Sequence, residues 1–239
     1  MFSKKNSTIP LDTFINNALY HPKKGYYTQR MPFGEHGDFI TAPNISKIFS
    51  EMIFLWIISY WEKFYKDKKI NIVELGAGNG EMMSQIISSS KRFDNFFKNC
   101  NFLIFERSLN LIKLQKKNLK QNNVRWLKNL NKLQNRPTIF FGNEFLDALP
   151  IKQFIKLKNI WHERYVEKRG KIYKFKDFKY DIKKLENKLK FNIAKKQDFL
   201  EISFEEIKII NQLNNIIKKK GGSILLIDYA YLDHRSEER

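Results

Sequence analysis

The chain has 239 residues, 42% apolar and 15% aromatic, with 44 Lys and Arg against 25 Asp and Glu, a formal net charge of +19. That length and apolar content suit one large domain, or a domain with an insertion, and exclude disorder for the bulk of the chain. One cysteine excludes a disulfide framework and any Cys-based zinc site, and no apolar run approaches the ~20 residues of a membrane-spanning helix.

Pro10, Pro22, Pro32 and Pro43 break up residues 1–43, which read as an entry segment of helix and loops with a short helix over 11–18. Past Pro43, residues Ile45, Ile48, Phe49, Met52, Leu55, Trp56 and Tyr60 recur at three- and four-residue steps. That spacing predicts a long amphipathic helix over 44–66 with this face in the core. A short β-rich run over 70–75 ends in Gly76-Ala-Gly-Asn-Gly80, and a helix follows over 81–90. A second strand, 102–105, ends in Glu106, and Ser108 is placed to cap a helix over 109–121. Strands at 124–127 and 138–141 come next, the latter running into Gly142-Asn-Glu-Phe-Leu-Asp-Ala-Leu-Pro150. Strands alternating with helices predict an α/β fold, a parallel sheet with helices on both faces.

Over 151–180 apolar residues alternate with charged ones, and Lys158-Asn159 and Arg169-Gly170 are turn signals. This is the period of half-exposed antiparallel hairpins. Residues 181–220 read as two helices, the second stopped by Gly221-Gly222, and a fifth strand over 223–227 ends in Asp228-Tyr229. The expected organisation is an N-terminal helical cover over 1–69, a Rossmann-like core over 70–150, and an insertion of hairpin plus helices over 151–220. A fifth core strand and a charged tail occupy 221–239.

The chemistry concentrates in the strand, the loop Glu74-Leu-Gly-Ala-Gly-Asn-Gly80, the helix, the next strand and Glu106. Glycines between a strand end and a helix start let the backbone turn tightly and approach a ligand. The helix start offers free N–H groups, and an acid closing the next strand can accept both hydroxyls of a ribose. Dinucleotide enzymes space their glycines G-x-G-x-x-G. Here the spacing is G-x-G-x-G, followed by Glu81 where a pyrophosphate would lie. With Glu74 ahead of the loop, these acids suit the cationic nucleoside S-adenosylmethionine better than an anionic one. A glycine turn of purely structural use is the alternative. His21, His36, His162 and His234 are scattered without ligand spacing, so no metal is expected. Cys100 is expected to be buried and inert, and Trp126 either packs in the core or stacks near an adenine.

Several separated stretches resemble the MidA-like S-adenosylmethionine-dependent methyltransferases, a family that includes the mitochondrial complex I assembly methyltransferase and bacterial relatives. They are Leu19-Tyr-His-Pro22 with Gly25-Tyr-Tyr27, Gly37-Asp-Phe-Ile-Thr-Ala-Pro43, and Phe49-Ser-Glu-Met52 with Leu55-Trp56. Glu74–Gly80, Gly142–Pro150 and Leu226-Ile-Asp-Tyr229 complete the set. The resemblance implies a class I methyltransferase fold with Gly76, Gly78 and Gly80 along the methionine portion of the cofactor and Glu106 on its ribose. Glu74 joins that cofactor set, and Gly37, Asp38 and Thr41 are implied as part of a cover. Members of the family continue well beyond the point where this chain stops, so the last strands of the sheet are expected to be missing.

Asn143, Glu144 and Asp147 follow the fourth strand, at the carboxyl end where ligands of open α/β sheets sit. Methyl transfer to nitrogen asks the enzyme to align a lone pair and hold a protonated group. A carboxylate pair does so for a guanidinium, gripping it in forked geometry and drawing charge away from the attacking nitrogen. Helix capping and dipole compensation are the structural alternative for these acids. The relatives' association with protein arginine methylation fits the first reading. The expectation is therefore a methyltransferase acting on an arginine of a partner protein. It would be cytoplasmic in a bacterium and mitochondrial in a eukaryote, although residues 1–14 lack an Arg- and Ser-rich leader. One competitor is a noncatalytic relative working through partner contacts. Another is an RNA methyltransferase, which rests on the charge. Nucleic acid ranks second as a partner, because the excess is mostly Lys, which shares A/T-rich codons with the abundant Asn and Ile, and RNA binders interleave Arg and exposed aromatics.

Overall fold

The computed structural model describes residues 6–29, 46–120, 122–193 and 195–229. Short runs dense in Ile, Val, Leu and Phe, bounded by turn residues, make its inner strands. The chain opens with β1 (Asn6–Pro10), α1 (Leu11–Tyr20) and α2 (Tyr26–Gln29), then α3 (Lys47–Tyr65). The core continues through β2 (Ile70–Leu75), α4 (Glu81–Ser90), α5 (Asp94–Asn99) and β3 (Cys100–Phe105). After these come α6 (Leu109–Asn118), β4 (Val124–Leu127) and β5 (Thr138–Asn143). An excursion follows through β6 (Lys152–Leu157), β7 (Ile160–Arg169), β8 (Ile172–Lys179), α7 (Ile182–Leu189) and β9 (Phe199–Ile202). The chain then returns by α8 (Phe204–Lys220) to β10 (Gly222–Ile227).

The inner sheet is parallel throughout, in the order β10-β5-β2-β3-β4. Its central strand β2 is buried at every residue, as a parallel strand covered on both faces must be. Alternation sends Ile70, Ile72, Ile104 and Phe141 against α3, α4 and α5, where they meet Ile57, Met83, Ile86 and Phe96. Val73, Leu75, Leu103 and Phe140 turn the other way, onto Ile209 and Leu213 of α8. Each such side chain contributes roughly 1.5–3 kcal/mol of burial. The carboxyl ends of β2, β3, β5 and β10 therefore open along one edge of this layer.

The outer sheet is antiparallel. β7 pairs along one edge first with β6 and then with β1, and along the other with β8, while β9 borders β6. Phe154, Trp161 and Leu185 form its small core. Among the described residues no helix is long and apolar enough to cross a membrane.

Four elements differ from the sequence expectation. The buried face of α3 is Ser50, Ile53, Phe54, Ile57, Ile58 and Trp61, whereas Ile48, Met52 and Leu55 are 68%, 60% and 49% exposed. This helix is apolar nearly all round, so its spacing defines a helix without choosing a face. The entry segment is not purely helical, since β1 pairs with β7, a partner that local sequence cannot announce. The four-residue strand β9 and the six-residue helix α5 are too short for either period to register.

The start of β10 is held by two tyrosines of α3. The Tyr60 hydroxyl donates to the Gly222 carbonyl, and the Gly222 N–H donates to the Tyr65 hydroxyl, both at 2.8 Å. A Cβ at position 222 would lie 1.8 Å from the Thr138 carbonyl oxygen, so only glycine fits there.

Candidate active site

The loop after β2 places Gly76, Gly78 and Gly80 at φ of 66°, 53° and 87°, the left-handed region that favours glycine. A Cβ on Gly76 would stand 2.8 Å from Cδ2 of Phe145, so the loop packs directly against the segment after β5. Ser108 caps α6 and also donates its hydroxyl to the Tyr27 carbonyl at 2.7 Å, which ties α2 to the same region.

At the end of β3 the Glu106 carboxyl is 7% exposed and fully engaged. Its Oε1 accepts from the N–H groups of Arg107 at 2.8 Å and Ser108 at 2.9 Å, and its Oε2 accepts from Gln115 Nε2 at 3.2 Å. Burial raises its pKa above the usual carboxylate range, and these hydrogen bonds oppose the rise. Glu74, on β2, is 1% exposed, and its Oε2 has no hydrogen-bond partner among the described residues. Burial, and then the neighbouring Glu106, push its carboxyl up to about 8.

A cleft of about 520 Å³, counting the solvent at its open mouth, lies between these elements, with Gly76, Gly78, Glu106, Glu144, Phe145, Tyr20 and Tyr27 in its wall. The Tyr20 hydroxyl donates to the Ala148 carbonyl at 2.9 Å, its ring stacks on that of Tyr27 at 5.4 Å, and the Arg107 guanidinium lies 4.9 Å from its centroid. Burial, together with Asp147, Glu106 and Glu144, pushes the Tyr27 phenol up to about 12.

The acidic side of the cleft is built where β5 ends. Asn143 Nδ2 donates to Glu144 Oε1 at 3.1 Å, and the Glu144 N–H donates to the Ile227 carbonyl at 2.8 Å. Glu144 has φ of 52°, a left-handed backbone unusual for a residue with a side chain. Asp228, just past β10, accepts on Oδ2 from the N–H groups of Leu146 at 2.8 Å and Asp147 at 3.3 Å. Asp147 lies outside the cleft wall, its carboxyl pushed up to about 6 by partial burial and by Asp228 and Glu144.

Of the residues singled out in the sequence, Gly76, Gly78, Glu106 and Glu144 line the cleft together. Glu74 lies buried, with Glu106 acting on its charge. Gly80 packs beneath α6, where a Cβ would meet Leu119 Cδ1 at 3.1 Å. Asn143 and Asp147 flank Glu144, and Gly37, Asp38 and Thr41 lie outside the described residues. Trp126 is engaged through its Nε1, which donates to Gln115 Oε1 at 2.8 Å. Cys100 is partly buried, which raises its thiol pKa. Sequence reasoning missed Tyr20, Tyr27, Gln115 and Asp228 as site residues, although Tyr20, Tyr27 and Asp228 stand in stretches that carry the family resemblance.

S-adenosylmethionine fits these residues. Gly76 and Gly78 stand in the cleft wall in a tightly turned loop, where the absence of side chains lets a ligand approach the backbone closely. The acids Glu106 and Glu144 in the cleft wall favour a cationic ligand and disfavour a pyrophosphate.

Comparison with known proteins bears on the family and the fold. Residues 52–239 match the model of a family described as S-adenosyl-L-methionine-dependent methyltransferase. The Xenopus laevis "Protein arginine methyltransferase NDUFAF7, mitochondrial" is 27% identical over 272 residues, spanning 98% of this chain and 59% of the relative. A Caenorhabditis elegans homolog of that protein is 30% identical over 254 residues, spanning 93% of this chain and 58% of its own. A COG1565 superfamily member from Burkholderia thailandensis, solved with S-adenosyl-homocysteine bound, superposes with a TM-score of 0.73 at 22% identity. That likeness covers 94% of this chain and 59% of the other. The chain thus spans less than two thirds of the length of these relatives. A fold shared with that structure and a family model matched over most of the sequence meet in one conclusion: the chain belongs to the MidA-like family of S-adenosyl-L-methionine-dependent methyltransferases.

Proposed function

We propose that the protein transfers a methyl group from S-adenosylmethionine to an arginine side chain of a partner protein. The observation that carries this reading is that one cleft holds both halves of such a site. Gly76 and Gly78 of the glycine loop, Glu106 and Glu144 share its wall, and Asp147 is close enough to Glu144 for their charges to interact. When bound, S-adenosylmethionine supplies an electrophilic methyl group on a sulfonium. Glu106 accepts from the ribose hydroxyls, while the loop backbone at Gly76 and Gly78 lets the methionine portion lie close. Glu144 and Asp147 grip a guanidinium through charge-assisted hydrogen bonds and hold its positive charge away from the attacking nitrogen. A carboxyl with a pKa near 6, Asp147, is suited to take up the proton that the methylated nitrogen sheds near neutral pH. The names of the relatives support a protein substrate and arginine as the acceptor. The site of action would be the cytoplasm of a bacterium or the mitochondrion of a eukaryote.

The first test is calorimetric titration of the chain with S-adenosylmethionine and S-adenosylhomocysteine, with Glu106→Ala as control. Micromolar binding, lost in the variant, is expected. The second supplies methyl-labelled cofactor and an extract of cells lacking the gene, followed by hydrolysis and amino-acid chromatography. Label in methylarginines is expected; label confined to RNA or lysine would sink the arginine reading. Binding with no transfer to any acceptor would favour the noncatalytic alternative.

A further inference from the structure

Gln115, on α6, has no exposed surface, yet it carries a polar amide behind the cleft wall. That amide is used at both ends. Nε2 donates to the Gly78 carbonyl at 2.9 Å and to Glu106 Oε2 at 3.2 Å, while Oε1 accepts from Trp126 Nε1 at 2.8 Å. An indole nitrogen can only donate, so the amide oxygen must face Trp126. The nitrogen then points at the loop and at Glu106, with one hydrogen for each acceptor. Gly78 and Glu106 belong to different βα connections, and among the described side chains Gln115 is the one bonded to both.

We infer that Gln115 is a positioning residue that locks the glycine loop and the Glu106 carboxylate into one register, with Trp126 setting the direction of its amide. This rests on the cleft being the S-adenosylmethionine site. Gln115 is not in the cleft wall and acts through its two acceptors. Without it, Glu106 Oε2 would lose the Gln115 donor. The carboxylate could then turn away from the position in which it meets a ribose. A merely structural glutamine would affect stability and leave the ligand affinity of the folded protein unchanged.

The test titrates S-adenosylhomocysteine into wild type, Gln115→Glu, Gln115→Met, Glu106→Gln and the double variant Gln115→Met/Glu106→Gln, between pH 6 and pH 8. Thermal unfolding of each ligand-free protein is measured alongside. Gln115→Glu keeps the shape and still accepts from Trp126. When ionised it has no donor and sets a second carboxylate against Glu106. Affinity should fall about tenfold at pH 8, the scale of one buried donor lost, and recover toward pH 6 as the introduced carboxyl gains a proton to donate. Gln115→Met should show a similar loss without that recovery, and should add little to the loss already caused by Glu106→Gln. Affinities within about twofold of wild type in folded Gln115→Glu and Gln115→Met, or full additivity with Glu106→Gln, would overturn the inference. Should neither position-115 variant fold, Trp126→Phe carries the test: it frees the amide to turn, so a loss of about threefold or more is expected, and unchanged affinity overturns the inference. A wild type that binds no S-adenosylhomocysteine would instead remove the functional reading itself, a result distinct from variants that bind as wild type does.

Discussion

Asp228 holds the backbone of Asp147 while repelling its side chain. Its Oδ2 accepts the Asp147 N–H at 3.3 Å, and its charge helps to push the Asp147 carboxyl up to about 6. The last inner strand thereby sets both the place and the protonation of an acid proposed to grip the substrate.

Methyl transfer should therefore rise with pH through about 6, because Asp147 must be ionised to pair with a guanidinium. Asp228→Asn keeps an acceptor for the loop but removes a like charge, so the Asp147 pKa falls and the midpoint moves to lower pH. Asp228→Ala should in addition destabilise the protein by about 1–2 kcal/mol, through the lost bonds to Leu146 and Asp147. Initial rates across pH 5–8 check this; an unmoved midpoint in Asp228→Asn would exclude Asp147 as the titrating group.

Glu144 is kept in a left-handed backbone at φ 52°. Strain of this kind costs on the order of 1–3 kcal/mol. Glu144→Gly relieves it and should leave the protein as stable as wild type or more so, yet without methyl transfer. Glu144→Ala loses the carboxylate and keeps the strain, so it should be inactive and less stable than the glycine variant. Thermal melts of the two variants decide the matter, and equal melting temperatures would argue against strain.

Glu74 has a folded pKa of about 8, raised by burial and by Glu106. In the unfolded chain its pKa is near the ordinary ~4.3. The folded state therefore keeps a proton that the unfolded state releases. The stability associated with it is fully present below about pH 4 and is lost as pH rises toward 8. Glu74→Gln removes this slope, so its advantage over wild type should grow from pH 5 to pH 8, by at most about 1.4 kcal/mol per pH unit. Denaturant melts at several pH values measure it, and parallel curves for the two proteins would contradict the assignment.

Gly222→Ala should displace β10, because its Cβ would sit 1.8 Å from the Thr138 carbonyl oxygen and no side chain is available to yield. Tyr65→Phe and Tyr60→Phe each remove one hydrogen bond to Gly222 and should cost only about 0.5–1.5 kcal/mol. Circular-dichroism melts rank the three. Glycine-to-alanine should be the worst by a clear margin, and a wild-type melt for it would show that the strand starts elsewhere.

The inner layer was legible because its strands are short apolar runs, four of the five with a glycine or an acid at the carboxyl end, as in Glu74–Gly80 and Phe105-Glu106. Local chemistry announces such features. Contacts made at long range do not. Nothing near Asn6 shows that it will pair with Arg169, and nothing near Gln115 shows that it will meet both Gly78 and Glu106. The face of α3 was misread for another reason: with Ile48 and Ile57 equally apolar, only the partner surface decides which of them is buried. The acids Glu144 and Asp147 were found from their place after a strand, whereas Asp228 required knowing that β10 lies beside β5.

The strand order β10-β5-β2-β3-β4 also imposes a timetable on synthesis. A ribosome releases the glycine loop, Glu106 and β5 first, then strands β6 to β9 of the outer sheet, and only afterwards Asp228. Domains tend to organise as they emerge. The nascent chain can thus bring the glycine loop and Glu106 together while the loop after β5 still lacks its anchor in Asp228. The anchor for the loop that carries Glu144 and Asp147 emerges later than the glycine loop and Glu106, on a strand translated after β6 to β9.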